Sequence, residues 1–129
     1  MPQLGIGCAN FGGQIYGNNL KPIKNRDVAR MILTAYAAGV RHFDSAEAYG
    51  LANRRLKEAH INGATLATKI KPGEWPTHGF DVCYFHDGRF NEDVAARLHS
   101  EGYLVGVSVY TMEEALGALK SRYLEYLQV

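Results

Sequence analysis

Apolar and polar positions alternate along this chain in two periods, and the two periods take turns. Leu4 to Phe11 is a Gly-rich, strand-like opening. A loop with Asn18, Asn19 and Pro22 follows, and Asn25 then reads as a helix N-cap with Asp27 in the first turn. Val28, Ile32, Ala35 and Tyr36 recur at helical spacing, and Gly39 reads as the residue just past the helix. Val40 to Ser45 reads as a second strand, Leu51 to His60 as a short helix and Ala64 to Ile70 as a third strand. Asp81 to His86 reads as a fourth. Asn91 caps a helix over Glu92 to Ser100, closed by Gly102, and Tyr103 to Val109 is a fifth strand. Thr111 and Glu114 have the spacing of a capping box, with Met112, Ala115, Leu116 and Leu119 as the apolar stripe behind it. Leu124 to Val129 opens a sixth strand. Strands that alternate with helices predict βαβ units and a parallel sheet.

Two places break the rhythm. Lys71-Pro-Gly-Glu-Trp-Pro-Thr-His-Gly79 joins the third and fourth strands with two prolines and two glycines, which excludes an ordinary helix. A parallel crossover usually needs a dozen residues or more, so this one is unusually short. The second is Val129, where the chain stops inside an apolar strand pattern and looks cut short. Six strands are too few for an eight-stranded (β/α) barrel, which takes about 250 residues.

Composition narrows the picture. The 129 residues predict one domain over 1–129, with 47% hydrophobic and 21% charged residues as in ordinary soluble proteins. The net charge of +1 argues against nucleic acid or an anionic membrane as partner. Cys8 and Cys83 sit in apolar stretches without metal-ligand spacing, and read as buried free thiols in a reducing compartment. No apolar run reaches the length of a membrane span, and the N-terminus lacks signal-peptide character. A cytoplasmic location is expected.

Strand parity supplies the candidate chemistry. Side chains alternate sides along a strand. Val40, His42 and Asp44 therefore share a face, as do Thr65, Ala67 and Lys69, and Val82, Tyr84 and His86. Asp44, Lys69 and His86 fall at C-terminal strand ends, and Tyr49 lies in the loop leaving Asp44. In barrels, that end carries the active site. A lysine ammonium beside a tyrosine favours the phenolate and lowers its pKa. A carboxylate would hold the lysine, and an imidazole N–H could polarise a carbonyl oxygen. Such a set moves a proton but supplies no hydride, so reduction needs a nicotinamide.

These residues sit in recognisable segments. Gly39-Val-Arg-His-Phe-Asp-Ser-Ala-Glu-Ala-Tyr-Gly50 resembles the signature of the aldo/keto reductase family. Ala67-Thr-Lys-Ile70 is similar to its lysine strand, Tyr84-Phe-His-Asp87 to its histidine strand, and Leu4-Gly-Ile-Gly-Cys-Ala-Asn-Phe-Gly12 to its first strand. Gly106-Val-Ser108 and Leu127-Gln-Val129 resemble strand ends that contact the nicotinamide amide, and Gly106 to Glu114 is similar to bacterial members associated with sugar or lipopolysaccharide gene clusters. The resemblance implies a partial (β/α) TIM-type barrel that lacks its last strands and the helix after the third. It implies NADPH-dependent reduction of an aldehyde, ketone or sugar carbonyl. Asp44, Tyr49, Lys69 and His86 would be catalytic, and Ser108 and Gln128 would bind the cofactor. No metal is implied. Val109 stands where the family has an asparagine, and most of the elements that cradle the cofactor lie outside the matching stretch.

Other residues have plainer readings. His42 reads as a hydrogen-bonded core histidine, and Trp75 as a rim cover or a plug for the missing helix. Arg54, Arg55 and Lys57 read as the solvated face of a short helix, with a phosphate contact as the alternative. Open strand edges predict a homodimer or higher oligomer. The alternative reading is a non-catalytic truncated remnant, or a half-barrel binding or oligomerisation module without cofactor.

Overall fold

The computed structural model describes residues 3–14 and 21–129. Asn18 and Asn19, read as loop residues, lie outside the described residues. The strands are β1 (Gly5–Gly7), β2 (His42–Asp44), β3 (Thr65–Ile70), β4 (Val82–Phe85), β5 (Leu104–Ser108) and β6 (Leu124–Gln128). The helices are α1 (Asn25–Ala37), α2 (Ala52–Glu58), α3 (Glu92–Ser100) and α4 (Met112–Ala118). Strand order follows chain order, and the pairs β1–β2, β2–β3, β4–β5 and β5–β6 are parallel. This is the predicted α/β arrangement. The chain forms two compact units, Met1–Ala67 and Thr68–Val129.

In the first unit, β1 is shorter than expected. Cys8 leaves the strand and Ala9–Gly12 forms a 3₁₀ turn that buries Phe11. The Asn25 expectation is also corrected. Lys24 occupies the cap position, Asn25 is the first helical residue, and no side chain caps this end. The Lys24 carbonyl instead accepts the N–H groups of Asp27 and Val28. The other end of α1 follows the reading. Gly39 has φ 97°, its N–H donates to the Tyr36 carbonyl, and the Val40 N–H donates to that of Ala35. That is a Schellman motif, which needs a residue at ease with positive φ. Val28 and Ile32 are fully buried.

In the second unit, no helix forms between β3 and β4, as the prolines and glycines require. Asn91 accepts a 3.0 Å hydrogen bond from the Val94 N–H and caps α3. Thr111 and Glu114 complete the capping box of α4. Ile70, Cys83, Phe85, Val105 and Val107 pack against Ala95 and Leu98 of α3 and Ala115 and Ala118 of α4. The stripe read on α4 is corrected. Ala115 and Ala118 face the core, whereas Met112, Leu116 and Leu119 are exposed. Both cysteines are buried and neither is in a disulfide.

Candidate functional site

Asp44 is the last residue of β2 and is half-buried. Its carbonyl accepts the Cys8 N–H at 2.8 Å, tying the end of β2 to the residue that leaves β1. The chain then turns. The Tyr49 N–H donates to the Ala46 carbonyl at 3.0 Å, and the Tyr49 carbonyl accepts the Ala52 N–H at 3.1 Å at the start of α2. Tyr49 is thus held at its backbone on both sides, with a half-buried side chain.

The 3₁₀ turn of β1 clamps this loop. A Cβ on Gly12 would fall 1.6 Å from the Tyr49 carbonyl oxygen, so only glycine allows the approach. The Leu51 N–H donates to the Gly12 carbonyl at 3.1 Å, and Arg55 reaches back to the Phe11 carbonyl. Buried Asn53 donates to Glu47 Oε1 at 2.9 Å across the same loop. No sequence pattern marks Gly12, Asn53 or Arg55 as positioning residues. Gly12 stands one residue past the strand-like stretch Leu4 to Phe11, where no local pattern marks a clamp. Arg55 was read with Arg54 and Lys57 as solvated; Arg54 is, pairing with Glu58 at 2.7 Å on the surface, but Arg55 is not. His42 is half-buried beside Gly5, at the strand's other end from Asp44.

Lys69, next to last in β3, is 3% exposed. Its Nζ lies 5.9 Å from the centroid of the Tyr84 ring on β4, at the edge of cation–π range. Parity had placed Tyr84 on this face without giving it a role. His86 directly follows β4 and opens the 3₁₀ turn His86–Gly88. Its side chain is 12% exposed. Burial, the largest influence, lowers its pKa; the Asp87 carboxylate opposes this, and the Lys69 and Lys71 ammonium groups reinforce it. Asp87 Oδ1 is 3.8 Å from His86 Nε2. Because the net shift is downward, that contact is not an ion pair at neutral pH. A neutral imidazole keeps one N–H to donate.

Ser108 and Gln128 end β5 and β6 as register partners, and the Val109 N–H donates to the Gln128 carbonyl at 2.9 Å. A register shift makes this possible. Val105 pairs with Leu124, but Gly106 pairs with Tyr126. The extra residue, Glu125, accepts the Val105 N–H on its side chain at 3.3 Å. Leu124 therefore packs with the helix-side core, while Tyr126 meets the Tyr84 ring edge-on at 6.2 Å on the opposite face. The register puts a hydroxyl and a carboxamide side chain on neighbouring strand ends. Val109 is buried in the helix-side core.

Trp75 packs against α3. Its Nε1 donates to Glu101 at 3.1 Å, and the Arg97 guanidinium sits 4.2 Å over its ring. It also borders the second unit's core, which favours the plug over the rim cover. Among the described residues, no three His, Cys, Asp or Glu side chains gather as a metal site, and no helix is long and apolar enough to cross a membrane.

The family comparison extends over most of these elements. The model of the aldo/keto reductase family matches residues 3–86. The chain belongs to the aldo/keto reductase family. Among solved structures it is similar to an aldo-keto reductase of Pseudomonas aeruginosa, with TM-score 0.69 and 21% identity, over 90% of this chain and 59% of that one. It is also similar to a thermostable aldo-keto reductase solved with the inhibitor epalrestat, with TM-score 0.67 and 18% identity, over 95% of this chain and 55% of that one. No curated protein matches its sequence. The fold is therefore part of that family's barrel, and the chain spans a little over half the length of the solved structures it matches.

Proposed function

We propose that this chain carries the proton-handling residues of an NADPH-dependent carbonyl reductase acting on an aldehyde, ketone or sugar. The observation that supports this best is Lys69 buried at the end of β3, its Nζ 5.9 Å from the Tyr84 ring on the strand that leads into His86. Burial, with the Lys69 charge adding to it, lowers the His86 pKa. A buried amine is costly unless its charge is used, and such groups concentrate at functional sites. In this reading Tyr49 donates the proton to the carbonyl oxygen. Lys69 lowers the phenol's pKa, Asp44 holds Lys69, and the His86 N–H orients the carbonyl. Ser108 and Gln128 hold the nicotinamide carboxamide. NADPH, when bound, supplies the hydride.

Titration of the full chain with NADPH, followed by cofactor fluorescence, tests the proposal. Saturable binding, with carbonyl reduction that Tyr49→Phe abolishes, is the expected result. No binding at millimolar NADPH overturns it. The second reading, a remnant or binding module without cofactor, draws on the 55–59% share of the matched structures that this chain spans. It predicts that Tyr49→Phe behaves as the parent in every assay.

A homodimer belongs to the same proposal. β1 and β6 end the strand order, and such edges invite pairing. Light scattering that shows a strict monomer at micromolar concentration counts against it. A cytoplasmic setting is proposed from the two buried thiols, neither of them in a disulfide.

A further inference from the structure

The missing helix between β3 and β4 leaves a space that the Pro/Gly segment only partly fills. A cavity of about 680 Å³ lies there, within the second unit. Ile70 and Phe85 form its floor, and both belong to the core that packs on α3. The cavity is therefore on the helix side of the sheet, the face opposite Lys69 and Tyr84. It is not part of the proposed carbonyl site.

Its walls are aromatic and braced. Phe85 and Phe90 pack with their rings tilted by 55° and their centroids 4.8 Å apart. Trp75 is fixed by its bond to Glu101 and by Arg97 over its ring. The mouth is basic. Lys71, Arg89 and Arg97 line it, against the single acid Glu74, whose Oε2 already accepts the Lys71 backbone N–H at 2.8 Å. Arg97 is shared with Glu101, but among the described residues neither Lys71 nor Arg89 makes an ion pair. Small-molecule sites commonly enclose roughly 300–1,000 Å³, mostly apolar with a few placed polar groups. This cavity has that size and that division.

We propose that the cavity binds a small aromatic carboxylate, its ring against Phe85, Phe90 and Trp75 and its carboxylate on Arg89 and Lys71. An arginine fork and a lysine ammonium both suit a carboxylate at the mouth of an apolar cleft. The aromatic walls select a flat body over an aliphatic chain.

Trp75 is the only tryptophan in the chain, so its indole N–H resonance reports on the cavity wall alone. The ¹⁵N-labelled full chain is titrated with 2-naphthoate and, separately, with the uncharged 2-naphthalenemethanol. The expected result is a saturable shift of the Trp75 indole signal with naphthoate, and binding of the alcohol weaker by roughly tenfold. Arg89→Ala weakens naphthoate by a similar factor and leaves the alcohol unchanged. Val94→Phe, which fills the cavity beside Phe90, removes both. Lys71→Ala, at an exposed position, provides a second charge variant. An indole signal unmoved at millimolar naphthoate overturns the proposal. So does equal affinity for acid and alcohol, or parental naphthoate binding in both Arg89→Ala and Lys71→Ala.

Discussion

The Tyr84 ring lies directly over Gly106. A Cβ added at Gly106 would meet Tyr84 Cδ1 at 2.5 Å and Tyr126 Cβ at 3.0 Å. Tyr84 is 5% exposed and has Lys69 Nζ over its ring, so it has little room to move aside. The glycine of β5 is what allows a tyrosine to fill the face that carries Lys69.

Gly106→Ala should therefore destabilise the protein by about 1–3 kcal/mol through overpacking. Urea denaturation measures this. Adding Tyr84→Leu should recover part of the loss, because the two positions are in contact and their effects do not add. Equal losses in the single and double variants would show that the strain is not at this contact.

Gly12→Ala should cost at least about 2 kcal/mol, since the added carbon meets a backbone carbonyl rather than a movable side chain. The Tyr49–Gly50 loop must shift to admit it. Amide exchange at Leu51, whose N–H is held by Gly12, should quicken well beyond the change at α1. Unaltered exchange at Leu51 would mean that the loop does not depend on this clamp.

His86 should make stability depend on pH. Its pKa is lowered in the folded state, chiefly by burial. The folded protein then binds the proton less well than the unfolded chain. The contribution is fully present above the ordinary histidine value of about 6.5 and is lost as pH falls through the lowered folded value. Comparison of the parent with His86→Gln between pH 7.5 and pH 5 isolates the effect from the other histidines. The stability gap should narrow or reverse toward acid; a gap independent of pH would show an unshifted imidazole.

Asn91→Ala should cost about 1 kcal/mol by removing the acceptor for the Val94 N–H at the start of α3. Asn91→Asp should retain or improve stability, because a carboxylate suits the positive end of a helix. A thermal melt of the three proteins checks the order.

Much of this fold was legible in the chain because its chemistry is local. Asn91 and the Thr111–Glu114 box act on backbone groups three residues away, and Gly39 and Gly102 end helices through their own φ angles. Lys71–Gly79 excludes a helix by proline and glycine content alone. Strand alternation put Lys69 and Tyr84 on one face, and the structure finds the amine over the ring.

The rest depends on contacts between distant residues. Asn25 has a capping side chain, but Lys24 holds the cap position and the backbone alone closes the turn. On α4 the helical period allowed several faces, and the core accepted the small Ala115 and Ala118 in place of Met112, Leu116 and Leu119. The register shift at Glu125 decides which face Gln128 shares, and it is set by pairing with β5. Gly12 matters only because Tyr49, 37 positions later, returns against it. Periodicity, caps and turns are properties of neighbouring residues, so the sequence alone determined the order of elements and the strand ends that carry the candidate residues. Packing distances between remote segments are not written in any local pattern. Only the tertiary structure decided which glycines are obligatory, which faces are buried, and that a cavity opens where a helix is missing.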